Sequence, residues 1–91
     1  MFRYGITVFG RVQGIGYRYF VLSKATPLGI TGWVKNLGSG EVEISAEGPQ
    51  EKLDEFVSAI KAGHPWAHIG NIKIEKTEIK KQSAEDFTIA F

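Results

Sequence analysis

The sequence predicts an α+β sandwich, two helices on one face of an antiparallel sheet, from three observations. Three segments alternate apolar and polar residues with a period of two, as half-buried strands do, and a fourth, Ile30 to Lys35, also reads as a strand. Two segments carry apolar residues at helical spacing. The six segments fall in the order βαββαβ, and a shorter alternating run closes the chain.

Tyr4, Ile6 and Val8 alternate with Gly5, Thr7 and Phe9, so a first strand covers roughly residues 3–11. Residues 18–28 read as a helix, with Val21, Ala25 and Leu28 at i, i+4 and i+7 on one face. Pro27 falls in its last turn, which it weakens or ends, and Gly29 follows as a C-terminal cap. Ile30 to Lys35 reads as a second strand, and Gly38-Ser39-Gly40 as a turn. Val42, Ile44 and Ala46 alternate with Glu41, Glu43, Ser45 and Glu47 in a third strand with one buried and one wet face. On this reading the acidic row Glu41, Glu43 and Glu47 is solvated, and the strand pairs with its predecessor in an antiparallel hairpin.

Gly48-Pro49 opens the next element, with Pro49 suited to a first helical turn. Leu53, Phe56, Val57 and Ile60 form its apolar stripe, and Gly63-His64-Pro65 stops it. Ile72 and Ile74 alternate with Lys73 and Glu75 in a fourth strand from about 69 to 79. Phe87, Ile89 and Phe91 mark a short terminal strand. The order is that of a ferredoxin-like sandwich. In that topology the first strand and the strand carrying Trp33 to Asn36 are expected to pair as non-sequential neighbours.

Ninety-one residues make one domain, residues 1–91. There are no cysteines, so disulfides and thiolate metal sites are excluded. No apolar run approaches the roughly 20 residues that span a bilayer, and the first residues lack a signal-peptide layout. The expectation is a cytoplasmic protein without a membrane partner. A net charge of +1 with scattered basic residues argues against nucleic acid held by bulk electrostatics. The adjacent pair Lys80-Lys81 lies near Glu78, Glu85 and Asp86 and reads as a solvated loop. His64 and His68 flank a proline-containing turn without ligand company, so neither a metal nor another cofactor is expected. Nothing in the sequence demands more than a monomer.

The segment Gly10-Arg11-Val12-Gln13-Gly14-Ile15-Gly16-Tyr17-Arg18 stands apart, with three glycines in seven residues between a strand and a helix. Backbone N–H groups suit a phosphoryl group because their polarity does not vary with pH, and glycine permits positive φ and close approach. A helix N-terminus adds free N–H groups and the positive end of its dipole. Arg18 would add a planar, permanently charged fork. From glycine spacing alone, a plain glycine-rich connection with an exposed arginine is slightly the better reading. The spacing matches neither a Walker A loop nor a dinucleotide fingerprint.

The residues themselves carry a resemblance. Val8-Phe9-Gly10-Arg11-Val12-Gln13-Gly14-Ile15-Gly16-Tyr17-Arg18 resembles the first signature of the acylphosphatases. Gly32-Trp33-Val34-Lys35-Asn36, then Gly40-Glu41-Val42, then Gly48 resembles their second. Ile15 stands where valine is usual and Tyr17 where phenylalanine is usual; Tyr17 adds a hydroxyl that needs a partner if buried. The resemblance implies hydrolysis of carboxyl-phosphate anhydrides to a carboxylate and inorganic phosphate, without a metal or a phosphoenzyme. It implies that Arg18 binds the phosphoryl group, that Asn36 orients the attacking water, and that the backbone N–H groups of Gln13, Gly14, Ile15, Gly16, Tyr17 and Arg18 form the phosphate cradle. The partners would be a small acyl phosphate and inorganic phosphate, the latter as product and inhibitor. The alternatives are a non-catalytic module binding phosphate or carbamoyl phosphate, and an RNA-binding domain of the same topology. The acidic, aromatic-free run from Glu41 to Glu47 is a poor surface for RNA.

Overall fold

A computed structural model describes residues 1–14, 16–64 and 67–91. The elements are β1 (Phe2–Arg11), α1 (Tyr17–Ala25), a single 3-10 turn (Thr26–Leu28), β2 (Thr31–Asn36), β3 (Val42–Gly48), α2 (Gln50–Ala62), β4 (His68–Glu78) and β5 (Phe87–Ile89). The sheet order is β4-β1-β3-β2-β5. The first four strands pair antiparallel as expected. The terminal strand β5 joins the edge parallel to β2, so the sheet is mixed.

The alternation read in each strand converges on one face. Register places Ile74, Ile6, Ile44, Val34 and Ile89 in a single row across all five strands. The helices lie over that row. α1 buries Tyr17, Val21 and Ala25, and α2 buries Leu53, Phe56, Val57 and Ile60. Phe56 meets Phe87 edge to face at 6.1 Å between ring centroids, joining α2 to β5. Tyr4 crosses the layers: its hydroxyl donates to Asp54 Oδ1 of α2 at 2.6 Å.

Pro27 has the effect foreseen for it. It lacks an N–H and its ring would crowd the preceding turn, so the α-helix stops at Ala25. The chain tightens into the 3-10 turn and ends on Gly29 at φ 69°.

Two expectations are corrected. β1 and β2 are not neighbours, because β3 lies between them and pairs with both. β3 forms a hairpin with β2 on one side and bonds β1 on the other, taking the position at which β1 and β2 would have met. Glu47 is not part of a solvated acidic row: it is 2% exposed. It does point to the sheet face away from the helices, as its alternation requires. There the segment before β5 folds over it and supplies donors. Ser83 N–H reaches Glu47 Oε1 at 2.9 Å, Ser83 Oγ reaches Oε2 at 2.8 Å, and Ala84 N–H reaches Oε1 at 3.2 Å. Arg3 Nε donates to Oε2 at 2.9 Å. Burial alone would raise this carboxyl, but the bonds from Ser83, Arg3 and Ala84 outweigh it and hold the group below its ordinary value.

Glu47 therefore clasps the strand-like start of the chain to its last segment. The Arg3 side chain is 42% exposed, so the ion pair itself is screened and the buried hydrogen bonds matter more. Glu47→Gln is expected to cost about 2 kcal/mol, the scale of disrupted hydrogen bonds to a buried charged group, and to lower Tm by about 10 °C for a domain of this size. Because the folded-state carboxyl is depressed, its contribution is full above the ordinary carboxylate range and is lost as pH falls through the lowered value. Thermal melts should thus show the gap between wild type and Glu47→Gln closing in acid; a gap independent of pH would contradict the clasp.

Candidate active site

The loop between β1 and α1 and the end of β2 meet at one end of the sheet. Val42, the first residue of β3, pairs with Val8 of β1 on one side and Asn36 of β2 on the other. Two strand spacings, roughly 10 Å, separate those partners. The loop after β1 folds back across this gap. Gln13 anchors it there: its Nε2 donates to Leu37 O at 2.8 Å and to Glu41 O at 2.9 Å. These carbonyls belong to the β2–β3 turn, which is closed by Leu37 N–H to Glu41 O at 2.8 Å. One side-chain amide thus fixes the glycine loop against the turn that follows Asn36.

Gly14 and Gly16 take left-handed conformations, φ 77° and 79°. A Cβ at either position would meet nothing within 4 Å. Glycine is required by φ rather than by crowding, and the space beside both is open to an incoming group. Gly16 is the N-cap of α1 and brings no side chain to bond the first-turn N–H groups; the first turn holds no acidic residue. Those N–H groups lie upstream of the ladder that begins with Phe20 N–H to Gly16 O at 3.1 Å. A left-handed turn running into an uncapped helix start is a concavity of N–H groups with positive polarity.

A pocket of about 170 Å³ opens at this junction. Gly14, Gly16, Tyr17, Arg18 and Asn36 line it, with Val12 and Tyr19 completing its walls. Of the residues expected at the phosphate, the structure brings together Gly14, Gly16, Tyr17 and Arg18 with Asn36 from a different strand. Gln13 does not line the pocket; its side chain is the tether. Ile15 lies outside the described residues.

Three features give the pocket its chemistry. Arg18 is half-buried in the first turn of α1, and among the described residues no carboxylate pairs with it. Its Cζ lies 5.0 Å from the centroid of the Phe91 ring. Asn36 Oδ1 is buried, and no donor among the described residues reaches it. Tyr17 is 1% exposed, its hydroxyl likewise without a partner among the described residues, and burial pushes that hydroxyl up to about 12. A buried acceptor without a partner is costly, so an acceptor such as Asn36 Oδ1 is suited to a donor arriving from outside the protein. Among the described lining residues there is no carboxyl or imidazole; the only hydroxyls are those of Tyr17, raised by burial, and Tyr19.

The structure adds a role that the sequence alone does not assign: beyond any backbone N–H, the Gln13 side-chain amide braces the glycine loop against the neighbouring turn. Tyr19, in the pocket wall, carries no motif, and Phe91, expected in the terminal strand, lies beyond β5, which ends at Ile89, with its ring against Arg18.

The acylphosphatase family profile matches residues 4–89. An acylphosphatase of Bacillus licheniformis is 47% identical over 78 residues, 86% of this chain and 87% of that protein. One from Bacillus velezensis is 40% identical over 91 residues, the full length of both. The crystal structure of acylphosphatase from Bacillus subtilis superposes with a TM-score of 0.94 at 42% identity, covering all of both chains.

Proposed function

The chain belongs to the acylphosphatase family and is an acylphosphatase enzyme, and from that premise we propose how its pocket hydrolyses acyl phosphates. The N–H groups of residues 13–18 and the Arg18 guanidinium hold the phosphoryl group. Asn36 Oδ1 accepts a hydrogen bond from a water and aims its oxygen at phosphorus. The new P–O bond forms as the bond from phosphorus to the acyl oxygen breaks, and the electron pair leaves with the carboxylate. The proton released by the water passes to a phosphoryl oxygen of the substrate.

The orphaned Asn36 Oδ1 in the same pocket as Arg18 is the observation that carries this reading. The absence of a carboxyl or imidazole among the described lining residues fits it, because a carboxylate leaves without being protonated. Phosphoryl transfer asks chiefly for positioning and charge stabilisation, and an arginine with aimed N–H groups supplies both.

The test is hydrolysis of benzoyl phosphate in the presence of a chelator, with inorganic phosphate as inhibitor. Turnover should persist without added metal, and phosphate should compete with substrate at millimolar concentration. Absence of turnover would sink the reading. Phosphate that leaves KM unchanged would remove the cradle as the substrate site.

A further inference from the structure

Among the described residues three large apolar side chains are exposed: Met1, Tyr19 and Phe91. Two of the three converge on Arg18. Tyr19, 64% exposed, follows it in the first turn of α1 and lines the pocket. Phe91 places its ring 5.0 Å from the guanidinium carbon. Phe20, the next aromatic of α1, shows the contrast: its ring is half-buried against Tyr17 at 5.7 Å and against His64 at 5.7 Å. Tyr19 and Phe91 spend no comparable surface on the core.

The geometry of the substrate gives this convergence a use. An acyl phosphate has its acyl carbon one bridging oxygen from phosphorus. With the phosphoryl group held by the glycine loop and Arg18, the acyl group has to emerge beside Arg18. Tyr19 stands in the wall of that pocket of about 170 Å³, and Phe91 lies just beyond its lining, against Arg18. Neither ring bears a charge, so neither would repel the carboxylate that forms there, and both offer apolar surface to a group that lacks polar handles.

We infer that Tyr19 and Phe91 form an aromatic rim that receives the acyl group, selecting acyl phosphates with apolar, planar acyl parts over small or polar ones. The inference rests on the acyl-phosphate reading above. The occupant is the acyl part of the substrate itself, and Arg18 links the two halves of the site: it lines the pocket together with Tyr19, and its guanidinium carbon lies against the Phe91 ring.

The experiment compares kcat/KM for benzoyl phosphate with that for acetyl phosphate in wild type, Tyr19→Ala, Tyr19→Phe and Phe91→Ala. Both positions are exposed, so the variants fold, and the ratio of the two substrates cancels any loss of active protein. Tyr19→Ala is expected to lower the benzoyl-to-acetyl ratio about five- to tenfold, the factor that a single aromatic contact supplies, with the change in KM for benzoyl phosphate rather than in kcat. Phe91→Ala should move the ratio in the same direction, and Tyr19→Phe should keep it. A ratio within twofold of wild type in both alanine variants would overturn the rim while leaving hydrolysis intact. Wild type that turns over neither compound would overturn the acyl-phosphate reading, and the rim with it.

Discussion

Arg18→Ala is expected to lower kcat/KM for benzoyl phosphate by at least about 10²–10³-fold, the roughly 3–4 kcal/mol typical of removing one transition-state donor. The reason lies in what surrounds the guanidinium. It is half-buried at an uncapped helix start, beside two left-handed glycines, and no described carboxylate neutralises it. Its charge is therefore available to a ligand. As the acyl–phosphate bond breaks, negative charge redistributes over the phosphoryl oxygens, and a fixed fork meets it without reorganisation. The fold should hardly notice the loss. The contact of Arg18 with the Phe91 ring is a surface cation–π pair worth about 0.5–1 kcal/mol. Activity should thus collapse while Tm moves by only a few degrees. Arg18→Lys should recover little, because an ammonium offers a point charge where the site presents room for a planar fork. Full activity in Arg18→Lys would show that bidentate geometry is not needed, and a fall in Tm matching the fall in activity in Arg18→Ala would recast Arg18 as structural.

What could be read from the sequence follows the range of the signal. Period and punctuation act locally, and these readings hold: Leu53, Phe56, Val57 and Ile60 are all buried on α2, and Pro27 ends α1. Strand order acts at long range. Alternation says which face of β1 is buried but not which strand lies beside it, so the expected β1–β2 pairing failed while both strands were correctly located. Glu47 shows the same limit in one side chain. Its parity assigns it to the outer face, correctly, but its burial depends on Ser83 and Ala84, which come from an aperiodic segment 36 and 37 residues later. The site divides likewise. The two signatures name Arg18 and Asn36, yet neither shows that Gln13 braces the loop to the turn after Asn36, because that contact spans 24 and 28 residues.

Asn36→Ala should separate catalysis from binding. If Asn36 Oδ1 holds the water, its removal should lower kcat about 10²-fold, the scale of losing positioning of a reactant, while the competitive constant for inorganic phosphate stays within about twofold because Arg18 and the loop N–H groups still hold the phosphoryl group. Stability should be preserved or should rise slightly: no donor among the described residues is bonded to Oδ1, so the substitution strands none of them and removes a buried acceptor that costs energy unpaired. That pattern is the reverse of what a turn asparagine would give, since losing a backbone-fixing role would lower Tm and leave chemistry to follow the folded fraction. Asn36→Asp sharpens the distinction. It retains an acceptor of nearly the same shape but sets a negative charge beside the bound phosphoryl dianion, so KM should rise and phosphate inhibition weaken in addition to the loss in kcat. Wild-type kcat in Asn36→Ala would dismiss the water-holding role. Phosphate affinity lost there as completely as in Arg18→Ala would move Asn36 from the water to the phosphoryl group, leaving the attacking oxygen to be oriented by the loop alone.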